Sequence, residues 1–134
     1  GIVRVQGTKT SWQQADDYQL KSLSYWRSDR YLNIWVCNLI DPKGIIGYAQ
    51  FPVSPLPGLE EASNDALTDG VVLHYDVTGS VDDGPFDLDP KFNKGRTGTH
   101  EIGHFFGLRH IWGDVNNCLG TDFVSDTPPQ SGPT

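Results

Sequence analysis

The sequence predicts an α/β domain spanning residues 1–134, in which a small sheet packs on a single helix that carries the chemistry. Three observations point there. The runs 31–39, 44–52 and 69–77 are dense in β-branched and aromatic residues and end at Gly, Pro or Asp, the pattern of short strands. Ile102, Phe105 and Phe106 fall at i, i+3 and i+4, the spacing of one helical face. The remainder is loop-rich, with 15 Gly and 9 Pro among 134 residues. A chain of this length buries roughly two-thirds of its unfolded surface, enough for one core.

Taken in order, GIVRVQ at the N-terminus is a short β-like start, and 10–30 is polar enough to be either helical or irregular, with a turn at 28–30. YLNIWVCNL at 31–39 is dense enough to suggest a central strand buried on both faces. DPKG turns the chain at 41–44, and GIIGYAQFP follows as a strand that Pro52, Pro55 and Pro57 end and place at an edge. Such an edge can pair with an extended peptide through Gly47, Tyr48, Ala49, Gln50 and Phe51, or can simply be blunted by its prolines. Residues 54–70 are a loop, 69–77 a third strand, and the Asp-rich stretch 78–93 lacks EF-hand spacing and reads as solvated.

The helix is expected to be capped by Asn93 or a residue just after it, with Ile102, Phe105 and Phe106 turned to the core and the histidines to the other side. Its sequence from His100 to His110 is HEIGHFFGLRH. Residues four apart on a helix project from one face about 6 Å apart along the axis, which puts His100 and His104 at ligand spacing. Glu101, about 100° further round, is placed to act as a base on a water beside the metal. Gly107 can take positive φ, end the helix and return the chain so that His110 becomes a third ligand. Three imidazoles leave one tetrahedral position open, as in catalytic zinc sites. The full HExxHxxGxxH pattern has a chance frequency of roughly 10⁻⁷ per position. Gly103 inside the helix costs about 1 kcal/mol against Ala and is explained if another backbone passes close. His74 is expected to be a hydrogen-bonded structural histidine; it is the one spare His for a closed, four-ligand site.

Composition excludes other classes. A net charge of −7 argues against a nucleic-acid partner, and no run approaches the roughly 20 apolar residues of a membrane span. With no Met and no basic-then-apolar leader, the chain reads as processed or trimmed. Cys37 and Cys118 form no CxxC and are expected not to bond to each other; they leave the compartment open.

YLNIWVCNL, GYAQFP, DGVV, GRTGTHEIGHFFGLRHIWGD and DFVSDTPPQ, in that order, resemble segments of the pappalysin family of metzincin zinc metalloproteases. The resemblance implies a metzincin-type twisted mixed sheet with 31–39 and 69–77 central, an antiparallel rim strand at 46–51 that binds substrate, and an active-site helix beneath. It implies a secreted, extracellular zinc endopeptidase acting on proteins or peptides, with calcium bound after the third His at positions matching Asp122 and Thr127. It also implies an incomplete catalytic domain. The family's initial strands and its Met-turn have no counterpart here, so a second fragment of the same precursor is a candidate partner. In the family Cys118 would pair with a cysteine further along. On this reading zinc is held by His100, His104 and His110, and Glu101 is the general base. The alternative is an inactive, zinc-loaded fragment that binds peptides or a partner.

Overall fold

The computed structural model describes residues 1–133. Its sheet has three strands: β1 (Ile34–Cys37), β2 (Gly47–Ala49) and β3 (Val71–His74), in the order β1-β3-β2. β1 runs parallel to β3 with Ile34 opposite Val71, and β2 runs antiparallel with Gly47 opposite Leu73. Two helices cover the sheet, a short α1 (Asp17–Lys21) that follows one 3₁₀ turn, and α2 (Arg96–Phe105).

Because side chains alternate along a strand, the sheet has two different faces. On one, Trp35, Val72 and Tyr48 lie side by side across the three strands and pack with Trp12, Leu20 and Leu39, which is the main core. Lys21 is buried in it, with 1% of its surface exposed. Its ammonium donates to the Thr68 carbonyl at 2.6 Å, pairs with Asp17 at 2.9 Å and stands 5.3 Å from the ring centres of both Trp35 and Tyr48. The Tyr48 hydroxyl donates to the same Asp17 oxygen at 2.8 Å. A buried charge survives only with such partners. On the opposite face α2 packs over β2 and β3, with Leu73 beneath it.

Several expectations are corrected here. The strand at 31–39 is central on neither count: β3 is the middle strand, and β1 buries Trp35 while Ile34 and Val36 are 45% and 50% exposed. Those two residues share the α2 face, but α2 covers β2 and β3 and leaves β1 bare. The strand at 69–77 stops at His74, and Tyr75–Val77 coil into a 3₁₀ turn. GIVRVQ forms no strand, because among the described residues it finds no backbone partner, and Ile2, Val3 and Val5 stay exposed. The rim strand is an antiparallel edge as expected, though shorter. Gln50 still donates its N–H to Gly70, but Pro52 has no N–H to continue the ladder past Phe51. Cys37 is half-buried, which pushes its thiol up to about 11, and neither it nor the exposed Cys118 is bonded.

Candidate metal centre

α2 begins after Gly95, which caps it without a side-chain hydrogen bond, and not at Asn93. It buries Thr97 and Glu101 against the sheet. The expected apolar stripe is not what faces inward: Phe106 is 70% exposed, and Ile102 and Phe105 are only partly covered. Small and polar residues take the inward side because α2 lies close to β2 and β3. A Cβ on Gly98 would already touch Leu73, 3.6 Å away. Gly103 meets not a distant backbone but the chain's own return, Leu108, at 3.7 Å.

That return is a Schellman turn. Leu108 N–H donates to Gly103 carbonyl at 2.9 Å and Gly107 N–H to His104 carbonyl at 2.8 Å, with Gly107 at φ 89°. A residue with a Cβ resists that conformation. The reversal carries His110 back over the helix, so that His100, His104 and His110 line one cavity of about 320 Å³ with Leu108 and Trp112. Their Nε2 atoms form a triangle with sides of 3.0, 3.1 and 3.1 Å.

The hydrogen bonds behind the rings decide what this triangle is. His104 Nδ1–H donates to the Leu108 carbonyl at 2.7 Å, and His110 Nδ1–H donates to the Asp114 carboxylate at 2.6 Å. Both acceptors lack a proton, so the Nδ1 atoms carry the hydrogens and both Nε2 atoms present bare lone pairs to each other. Two lone pairs at 3.1 Å repel unless a cation lies between them. A tetrahedral zinc bonded at about 2.0–2.1 Å keeps its nitrogen ligands about 3.3 Å apart, close to the separations seen. The residues therefore fit a metal ion, and this triad is the one group of three or more such ligands among the described residues.

Glu101, next to His100 on α2, is buried beside β2 and is 6% exposed. Burial pushes its carboxyl up to about 7. Gly47 on β2 leaves it room, since a Cβ there would stand 3.0 Å from Glu101 Cγ and 3.1 Å from Leu73. Phe51 lies 5.1 Å from the His104 ring, centre to centre, so the end of the rim segment reaches the metal cavity. Burial also lowers the His100 and His104 pKa values, which favours the neutral imidazole.

The structure thus brings together His100, His104, His110, Glu101, Gly47 and Phe51. His74 is elsewhere, as expected: its Nδ1 accepts the Leu39 N–H at 2.9 Å and its Nε2 faces Asp76 at 3.1 Å. Asp122 and Thr127 lie in one run of turns: Val124 N–H donates to the Asp122 carboxylate at 3.0 Å, which holds it below the usual carboxylate range, and Thr127 N–H donates to the Val124 carbonyl at 3.2 Å. They form part of no three-ligand cluster among the described residues. Sequence reading missed Asp114 and the Leu108 carbonyl. A carboxylate four residues after the last histidine was the available signal for Asp114; the Leu108 carbonyl gave none, because only the turn puts it there.

A family model described as pregnancy-associated plasma protein-A matches residues 15–134. An extracellular metalloprotease of Arthroderma otae is 34% identical over 89% of this chain and 40% of its own length. Extracellular metalloprotease 1 of Coccidioides posadasii is 36% identical over 92% and 41%. Among solved structures, mirolysin in complex with compound 9 matches with a TM-score of 0.76 at 40% identity, covering 98% of this chain and 46% of that one. Mature mirolysin of Tannerella forsythia in complex with a cleaved peptide matches at 0.75 and 40% identity, covering 94% and 44%. The chain shares the mixed α/β fold of mirolysin and spans less than half the length of the relatives it matches.

Proposed function

This chain belongs to the pregnancy-associated plasma protein-A family of metallopeptidases, and from that premise we propose that it is the metal-binding part of a secreted zinc endopeptidase with Glu101 as general base. The observation that carries the proposal is the convergence of three Nε2 atoms, two of them bare, with no proton to share. A zinc ion held by His100, His104 and His110 supplies Lewis-acid polarisation of a peptide carbonyl and lowers the pKa of water toward about 7. Glu101 takes the proton from the attacking water and delivers it to the leaving amine, and a carboxyl held near neutrality by burial is suited to both transfers.

β2 is paired on one side only, so its outer backbone groups can add an extended peptide as a further strand and fix its direction across the triad. Beyond its end, Gln50, Phe51, Pro52, Val53, Phe105 and Phe106 line a groove of about 540 Å³, a place for an apolar side chain of the substrate. The names of the relatives support export from the cell, and no helix among the described residues is long and apolar enough to cross a membrane. Calcium at Asp122 and Thr127 belongs to the same proposal, supported by the turns through Val124 that place both after the third histidine. A thermal midpoint that EGTA leaves unchanged would remove it.

The test is metal content with hydrolysis. Metal analysis should return one zinc per chain, and a catalytic domain containing this chain should cleave an unfolded protein until a zinc chelator is added. A binding module would retain zinc and peptide affinity without cleavage. Intact mass under denaturing conditions shows whether a second fragment of the same precursor travels with the chain.

A further inference from the structure

The third histidine is held differently from the first two. α2 fixes His100 and His104, whereas His110 lies beyond the helix, at the head of a stretch in which no described residue from 111 to 133 is buried. What orients its ring is local. Asp114 accepts from Nδ1–H at 2.6 Å on one edge, and Trp112 lies flat on one face, 4.3 Å away and 6° from parallel. To reach the ring, Asp114 adopts φ 60°, one of two positive-φ residues other than glycine among those described. An L residue is held in that region only when its surroundings require it, although Asp enters it more readily than most. The surroundings here are specific. Gly113, also at φ 61°, packs so closely on the backbone of Thr121 that a side chain would collide with it, so the turn is held from behind.

We propose that Asp114 is a positioning residue that sets metal affinity, by holding His110 as the Nδ1–H tautomer with Nε2 aimed at the other two. Without the carboxylate, the ring can rotate about its own axis or move its proton to Nε2, and either change removes the third lone pair from the site. Asp114 does not touch the reacting atoms, so its effect appears in metal binding before it appears in catalysis. The inference rests on the metal reading of the triad.

Two substitutions suit the left-handed backbone. D114G removes the acceptor and keeps φ, while D114N keeps an acceptor oxygen and loses the charge. Zinc affinity is measured by competition with a chromophoric chelator, with circular dichroism of each metal-free chain as the check on folding. The expected result is an affinity about 10- to 100-fold weaker in D114G, with D114N recovering most of it. D114G binding within about threefold of the parent overturns the proposal, as does a D114N loss as large as that of D114G, which would make charge and not orientation the cause. A parent that binds no zinc refutes the metal reading itself, a distinguishable outcome. One measurement needs no variant: ring nitrogen shifts of the metal-free parent at about pH 8 should show His110 protonated at Nδ1, and protonation at Nε2 overturns the proposal.

Discussion

The two faces of one three-stranded sheet are built to opposite standards. On the α1 face every buried charge has its partner: Lys21 meets Asp17 and the Thr68 carbonyl, and Tyr48 shares Asp17. On the α2 face Glu101 is buried with desolvation as the sole cause of its raised pKa, and histidine lone pairs confront one another at 3.1 Å. The first face pairs its charges as folded, with the buried Trp35 Nε1–H its one unpartnered side-chain polar atom among the described residues, whereas the second is completed only by something added. The residues that stabilise and the residues proposed to react are thus separated by the thickness of a sheet.

The largest effect should come from Glu101. E101Q keeps size and polarity and removes the proton acceptor, so hydrolysis by the catalytic domain should fall about 10²- to 10⁴-fold with zinc content unchanged. H104A should lose metal and activity together, and E101Q cleaving at the parent rate would end the assignment of roles to this face. Next comes the closed face. K21M leaves the Thr68 carbonyl unpaired and Asp17 without its cation, and should cost about 3 kcal/mol in denaturant unfolding, with activity per folded molecule retained. A loss below about 0.5 kcal/mol would mean that this network is solvated and the contrast overstated.

The pH response sharpens the contrast. In the metal-free chain burial carries Glu101 from an ordinary 4.5 up to about 7. Below pH 4.5 both folded and unfolded chains hold this proton, and its contribution is complete. Between 4.5 and 7 the folded chain keeps a proton on Glu101 that the unfolded chain has released, so this group's contribution to stability falls as pH rises, by at most about 3 kcal/mol. It runs against the opposite slope of His100 and His104, whose pKa values burial lowers. E101Q should remove the Glu101 slope, and equal slopes in parent and variant would show the carboxyl to be hydrated. Smallest is Gly47. G47A pushes a methyl group toward Glu101 Cγ and Leu73, at 3.0 and 3.1 Å, and should lower kcat about tenfold with zinc binding intact. An unchanged kcat would mean that Glu101 adjusts freely and is not placed by the rim strand.

Much of the reactive face was legible in the sequence because it is local. His100, Glu101, His104, Gly107 and His110 lie within one helix and one turn, where spacing translates directly into geometry. The edge position of β2 was legible from its prolines, and its antiparallel sense only from the family resemblance. The closed face was not, since Lys21 is buried by partners as remote as Thr68, and no window around a lysine discloses that. The same holds for β1: an apolar run reports that Ile34 and Val36 suit a strand, not that α2 covers the other two strands and leaves these exposed. Phe106 failed for a related reason, because three apolar residues at helical spacing look like a core stripe whether or not the helix has room for them.

The turn at Gly107 also bears on the order of events during folding. The sheet needs Ile34 to find Val71 across a long intervening loop, which is slow by the statistics of loop closure. The histidine cluster needs only α2 and five further residues, and helices and short loops form in about a microsecond or less. An ion can therefore be captured by a nascent helix before any strand has paired, and would then act as a nucleus that tethers α2 to its own C-terminal tail. Zinc supplied at the start of refolding should shorten the time to native structure relative to zinc supplied at the end. Identical rates would place metal capture after the sheet.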